Sequence, residues 1–263
     1  MCITASVGAH GANHFDDVMV IQCALTYVWP GVPYRAAPIT GRCDPATIDA
    51  IKDFQTRVQN AAKPDGQISA VRGGSLDRLW LEVEPEYNPI NLKGIMTRTS
   101  FKVLDRYYKH LETAMLTRGI TTPLRQAHFL AQLGHESGGF RYTEELASGS
   151  AYEGRTDLGN TQKGDGVRFK GRGLIQITGR ANYTAYGDAI GMDLTTGGNW
   201  TKLSTDPFLA VDCAGWYWET RGLNDLADQD DVQKITRKIN GGVNGLKDRK
   251  AYLSRAKWFL VYP

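Results

Sequence analysis

Apolar residues in this chain recur at helical spacing. Near the N-terminus three stripes stand out: Val18, Ile21, Leu25 and Val28; then Ile48, Ile51, Phe54 and Val58; then Leu76, Leu79, Trp80 and Val83. Each follows a helix-starting signal, which is Asn13 or Asp16 for the first, Asp44 with Pro45 at the first helical position for the second, and Ser75 for the third. Between the second and third stripes, "KPDGQIS" reads as a turn in which Gly66 takes positive φ. Three such faces are enough for a small helical core, so residues 1–86 are expected to form a three-helix domain. The stretch "EPEYNPINLKGIMTRTS" then has two prolines, a glycine and no helical stripe, which predicts a linker over 87–100.

Helical spacing resumes in residues 101–263. One helix is expected over Phe101 to Thr117, and another opens at Thr122-Pro123 with Ala127, Leu130, Ala131 and Gly134 on a small-residue face. Two more fit Pro207 to Arg221 behind an Asp206 cap and Val232 to Ile239 before "NGG". Residues 147–170 are rich in glycine and polar side chains and predict a long functional loop. The fold class expected is all-α, a small three-helix domain followed by a larger helical domain with long loops.

Composition narrows the function classes. With 263 residues, 41% hydrophobic and a mean hydropathy of −0.37, this is the profile of a soluble globular protein. No apolar run reaches the roughly 18 residues of a membrane span, so stable membrane insertion is not expected. The N-terminus lacks the basic and apolar regions of a conventional signal peptide. Formal charge is +3 overall, made of −3 over residues 1–88 (7 Lys+Arg, 10 Asp+Glu) and +6 over the rest (24 and 18). A basic C-terminal portion suits an anionic polymer, yet the total is too small to imply a nucleic-acid partner. Cys2, Cys23, Cys43 and Cys213 show no CxxC spacing and read as free thiols of a reducing cytoplasm.

The chemistry centres on "LGHESGGF", residues 133–140, where a helix ends on a carboxylate and two glycines follow. A zincin reading fails because Gly139 stands where the second histidine is needed, and His128 and His135 find no third ligand nearby; no metal or cofactor is expected. Glu136 is instead a candidate acid. On one unbroken helix Glu136 and Glu145 would lie about 13.5 Å apart along the axis on opposite faces. Gly138 and Gly139 must therefore break the helix if the two carboxylates are to serve one site, at the roughly 6.5–9.5 Å separation of an inverting glycosidase. Downstream, "FKGRGLIQITGRANY" sets Gln176, Thr178, Asn182 and Tyr183 among glycines, a neutral hydrogen-bonding set suited to hydroxyl and acetamido groups.

With "AQLGHESGGF", "FKGRGLIQITGRANY", "DPFLAVDCAGWYW" and "KINGGVNGLKDR" in order across residues 122–250, the chain resembles family 19 glycoside hydrolases, which are chitinase-like enzymes of lysozyme fold, and among them modular bacteriophage endolysins. The N-terminal part resembles a three-helix peptidoglycan-binding domain, through "NHFDDVMVIQ" and "GRCDPATIDAIKDFQTRV". The resemblance implies Glu136 as general acid and Glu145 as general base, with Glu153 of "AYEGR" as a rival base. It implies Thr178 as holder of the attacking water and Gln176, Asn182 and Asn240 as substrate contacts. Arg249 becomes the arginine that pairs with the glutamates, with Arg255 as alternative. Tyr142, Tyr152, Tyr183, Trp216 and Trp218 are candidates for stacking on sugars, although "AGWYW" reads more readily as core.

The expectation drawn from this is a monomeric muramidase of bacterial peptidoglycan that accumulates in host cytoplasm and reaches the wall after a holin opens the membrane. Chitinase is the nearest alternative, and a non-catalytic wall-binding protein a second. A Cys/His peptidase is a third, disfavoured because Cys213 lies in a packing motif.

Overall fold

The computed structural model describes residues 2–28, 37–71 and 73–261, and their regular structure is almost wholly helical, as the stripes predict. It divides into two compact units, one of residues 1–98 with 250–263 and one of residues 99–249.

In the first unit β1 (Val7–Gly8) pairs antiparallel with β2 (Gln67–Ile68), and α1 (Phe15–Val28), α2 (Pro45–Arg57), α3 (Ser75–Trp80) and α4 (Pro89–Ile95) pack around Ile21, Leu25, Ile51, Phe54, Leu79 and Leu92. Asp44 caps α2 by accepting the Thr47 N–H at 2.8 Å, with Pro45 in the first turn where no N–H is missed. Gly66 does take positive φ, at 68°. The cap expected at Ser75 is absent: Gly74 holds that position, and the Ser75 hydroxyl donates to Gln59 instead.

The predicted linker over 87–100 is a second correction. Asn88 accepts the Asn91 N–H at 2.8 Å and starts α4, a seven-residue helix in which Leu92 and Ile95 are fully buried. A helix of two turns is too short to print a stripe, and its polar residues are spent internally. Asn91 is buried, accepting from the Tyr27 hydroxyl and donating to the carbonyls of Glu84, Glu86 and Phe259. The C-terminal boundary also differs from the expected 101–263, because residues 250–263 fold with the first unit: Trp80 Nε1 donates to the Trp258 carbonyl, and Phe259 lies flat on Gly94.

The second unit starts with α5 (Phe101–Thr117), which turns Leu104, Tyr107, Leu111, Ala114 and Met115 inward, and α6 (Pro123–Glu136), capped by Thr122. The long loop that follows contains two single 3₁₀ turns, Ser150–Tyr152 and Thr156–Leu158, and the one-turn α7 (Asp165–Arg168). Then come α8 (Arg180–Ile190), α9 (Lys202–Thr205), α10 (Pro207–Thr220), α11 (Leu223–Asp228) and α12 (Val232–Asn240); α13 (Leu246–Leu260) gives this unit only its first turn. Asp206 caps α10, accepting from Phe208 and Leu209. From Leu209 to Trp218 every residue of α10 is buried, as expected of a helix apolar on all sides, and the unit's core forms around it. Its one acid there, Asp212, is matched by Arg118 at 3.2 Å and by the Tyr186 hydroxyl at 2.9 Å. No helix among the described residues is long and apolar enough to cross a membrane.

Candidate active site

Helix α6 ends on Glu136, and its stop is built from three successive left-handed residues, Gly138 (φ 57°), Gly139 (φ 73°) and Phe140 (φ 68°). The Ser137 hydroxyl donates to the Leu133 carbonyl at 2.6 Å and accepts the Phe140 N–H at 2.8 Å, while the Gly139 N–H returns to Gly134 at 2.7 Å. These bonds close the orphan carbonyls of the last turn and reverse the chain. Leaving that reversal, residues 143–145 run extended beside residues 171–173, with the Gly173 N–H on the Thr143 carbonyl and the Glu145 N–H on the Gly171 carbonyl, both at 2.9 Å. Arg172 in turn exchanges both backbone bonds with Ile177 around a tight loop. Gln176 sits in that loop at φ 55°, a strained conformation for a residue with a Cβ, and its side chain is fixed by donating to the Gly173 carbonyl at 2.8 Å.

The result is a cavity of about 450 Å³ lined by Glu136, Glu145, Tyr152, Gln176, Thr178, Asn182, Tyr217, Asn240 and neighbouring apolar and glycine positions. The two carboxylates come from different elements and share this one space, as the glycine break requires. Each is held on the protein side. Arg249, buried in the first turn of α13, donates one guanidinium nitrogen to Glu136 Oε1 and another to Gln132 Oε1, one turn back along α6. Glu145 accepts the Tyr152 hydroxyl on Oε1 at 3.0 Å and the Gly171 N–H on Oε2 at 3.1 Å. An alanine at 171 would bring its methyl to 3.0 Å from Gln176 Oε1 and 3.4 Å from Glu145 Oε2, so a glycine there keeps the Glu145 side of the cavity clear.

Adjacent Glu144 has a different place. Although burial works to raise its pKa, Lys170 and Arg172 outweigh it and hold the carboxyl below its ordinary value, at 3.0 and 3.1 Å. It is a brace for the three-segment ladder. Glu153, the rival base, does not line the cavity: its carboxylate accepts the N–H groups of Gly164 at 2.6 Å and Gly166 at 2.9 Å, which lower its pKa and fix the loop ahead of α7. Tyr183 is corrected as a substrate contact. It is fully buried against Phe169, with its hydroxyl on the Lys170 carbonyl, because one step along α8 from Asn182 turns a side chain by about 100°. Of the other aromatics, Trp218 is core, Trp216 is buried against Tyr186, and the exposed Tyr142 ring lies against Gly138. Arg255 belongs to the first unit and donates to the Ile95 carbonyl.

One polar cavity residue, Tyr217, and the arginine that stacks on it, Arg221, escaped the sequence reading. Tyr217 donates to the Ile239 carbonyl at 3.3 Å; burial, with the Glu136 charge adding to it, raises its pKa against the opposing effect of Arg221. Arg221 stacks on the Tyr217 ring. A tyrosine followed four residues later by an arginine was the available signal, since such pairs meet on a helix surface. The histidines are both hydrogen-bonded to acids at 2.7 Å, His128 to Asp230 and His135 to Asp248, and no cluster of three or more metal-ligand side chains occurs among the described residues.

The family model for glycosyl hydrolase family 19, described as chitinase class I, matches residues 116–240. A family 19 glycosyl hydrolase domain-containing protein of Haemophilus influenzae is 34% identical over 173 residues, 54% of this chain and 83% of its own. An endochitinase of Arabidopsis thaliana is 34% identical over 240 residues, 91% of this chain and 78% of that one. Among solved structures, a bacterial family 19 chitinase superposes with a TM-score of 0.55 at 22% identity, covering 67% of this chain and 96% of that chain. Chitinase C of Streptomyces griseus gives 0.54 at 22% identity over 66% and 92%. The chain therefore belongs to glycosyl hydrolase family 19 and is a glycoside hydrolase of β-1,4-linked glycans.

Proposed function

We propose that this enzyme cleaves the β-1,4 bonds of the bacterial peptidoglycan glycan strand by single displacement with inversion. The observation that carries the mechanism is the sharing of one cavity by Glu136 and Glu145, each restrained through specific oxygens. Arg249 engages Oε1 of Glu136, so Oε2 is the oxygen that donates a proton to the glycosidic oxygen. A water on the Thr178 hydroxyl, itself anchored to the Gln176 carbonyl at 3.1 Å, gives its proton to Glu145 as its oxygen attacks the anomeric carbon. The C–O bond breaks, the leaving sugar keeps the proton from Glu136, and the new hemiacetal has inverted configuration. Gln176, Asn182 and Asn240 supply neutral hydrogen bonds along the sugar, and Tyr152 orients the base.

The peptidoglycan assignment rests on the helical first unit, whose sequence resembles a wall-binding module; a binder on the same chain raises the local concentration of catalyst at the wall. In this reading the protein is a monomeric phage endolysin, held in the host cytoplasm until a holin admits it to the periplasm. The endochitinase relatives favour a second reading, with chitin as substrate. Mass spectrometry of products from purified peptidoglycan and from chitin hexamer separates the two. Disaccharide-peptides with reducing-end N-acetylmuramic acid, absent with Glu136→Gln, are expected; cleavage of the hexamer alone would transfer the assignment to chitin.

A further inference from the structure

Arg221 is the first residue beyond α10, and its guanidinium is held in place from two directions. Its Cζ lies 3.5 Å from the centroid of the Tyr217 ring, and its Nη2 donates to Asn182 Oδ1 at 3.2 Å. Both partners line the catalytic cavity, and Asn182 is itself tied to the Thr178 carbonyl at 2.7 Å. Its Nη1 makes a further, long contact of 3.5 Å to the neutral Thr220 hydroxyl. Several other arginines of this unit meet acids, Arg118 with Asp212, Arg172 with Glu144, Arg180 with Asp165 and Arg249 with Glu136, while Arg106 and Arg141 bond backbone carbonyls away from the cavity lining. Among the described residues no carboxylate pairs with Arg221. A half-exposed guanidinium, immobilised by stacking, is thus fixed beside cavity residues with no carboxylate partner among the described residues.

We propose that Arg221 is a specificity-determining residue that binds a carboxylate carried by the glycan, so the cleft prefers an anionic β-1,4 N-acetylhexosamine polymer to a neutral one. This deepens the peptidoglycan reading and rests on it for the natural substrate. Plain chitin has no acid to offer, whereas the muramic sugar carries a lactyl ether and, through it, a peptide with free carboxylates. The planar fork of an arginine suits bidentate capture of such a group, and its stacked pose lowers the entropy lost on binding. Asn182 couples the pair to catalysis, because the same side chain reaches the backbone of the residue that holds the water.

The test uses two soluble polymers with one backbone, O-carboxymethyl chitin, whose ether carboxylate stands in for the lactyl group, and neutral glycol chitin. The full chain and its Arg221→Gln and Arg221→Lys variants are compared by kcat/KM on each, at low and high salt. The wild-type ratio, carboxylated over neutral, is expected to fall roughly tenfold in Arg221→Gln, the size of one charge-assisted hydrogen bond, and mainly through KM. Arg221→Lys should retain part of it, and raising the salt should erode the ratio in wild type but not in Arg221→Gln. A ratio unchanged by Arg221→Gln overturns the proposal, including the case where both substrates lose equally because Arg221 only braces Tyr217 and Asn182. Peptidoglycan with intact stems and amidase-stripped strands with free lactyl groups then separate the two carboxylate sources. Because the chitin pair needs no muramic acid, anion preference stands or falls separately from the peptidoglycan assignment.

Discussion

Gly241 and Gly245 bracket the loop between α12 and α13, and both have positive φ, 74° and 71°. Alanine at either position incurs the left-handed strain of about 1–2 kcal/mol. The two sites differ in what the new methyl would meet. At 241 nothing lies within 4 Å, whereas at 245 the methyl would fall 2.1 Å from His135 Cε1 and 2.2 Å from Nε2. The imidazole is held there by its 2.7 Å bond to Asp248, the residue before Arg249. Making room costs about 1–3 kcal/mol of overpacking and about 1 kcal/mol for the lost hydrogen bond. Gly241→Ala should therefore cost about 1–2 kcal/mol and Gly245→Ala about 3–6 kcal/mol. For a unit of this size each kcal/mol moves the melting temperature by about 2–4 °C. Thermal unfolding followed by circular dichroism is expected to show a drop of about 2–8 °C for the first variant and of about 6–24 °C for the second. Turnover should also fall further in Gly245→Ala, because the displaced bond anchors the turn that presents Arg249 to Glu136. Equal melting temperatures for the two variants would refute the packing argument and leave only backbone strain.

Two further substitutions test the site and its frame. Glu145→Gln should lower kcat by at least about a hundredfold, as loss of a general base does, while Glu153→Gln keeps kcat within about threefold because its carboxylate serves loop N–H groups; the reverse order in steady-state assays would move the base to Glu153. Asp165 is buried and receives Arg180 at 2.6 and 2.9 Å, which outweighs burial and holds its carboxyl below the ordinary carboxylate range, so its stabilising effect is present above pH about 4 and lost as pH falls below it. The gap in unfolding free energy between wild type and Asp165→Asn, from urea titration, about 3 kcal/mol at pH 6, should narrow toward pH 3, and a gap constant with pH would count against this account.

Elements with local start signals were the legible ones. The sequence places α5, α6, α10 and α12 within a residue or two, because Thr122-Pro123 and Asp206-Pro207 announce their first turns and the apolar spacing runs for three turns or more. Helix α4 was hidden by its length, and its buried Asn91 and Gly94 look like linker residues until their partners are known. The glycine break after Glu136 was visible in the sequence, yet the return of Glu145 to the cavity depends on a ladder between residues 143–145, 171–173 and 177, a long-range pairing that periodicity does not encode. The same applies to Glu153, whose spacing permits a base but whose carboxylate is already taken by backbone donors. Tyr183 was misplaced for a simpler reason: a motif lists neighbours, whereas a helix sends successive residues in different directions.

The first unit is discontinuous in sequence, since residues 1–98 and 250–263 belong to it and the catalytic unit is spliced between them. Heritable exchange of parts is constrained by that arrangement. A single recombination crossover near residue 99, the simplest route by which the catalytic unit could acquire a different first unit, would give the newcomer a foreign tail bearing Trp258, Phe259 and Leu260 without the Trp80, Asn91 and Gly94 that receive two of them. Swapping either part cleanly takes two crossovers, or one accompanied by co-evolution of the last helix. Lineages of this architecture should then inherit both ends of the chain together, with sequence drift in residues 250–263 tracking that of residues 75–95 rather than that of the catalytic residues between them.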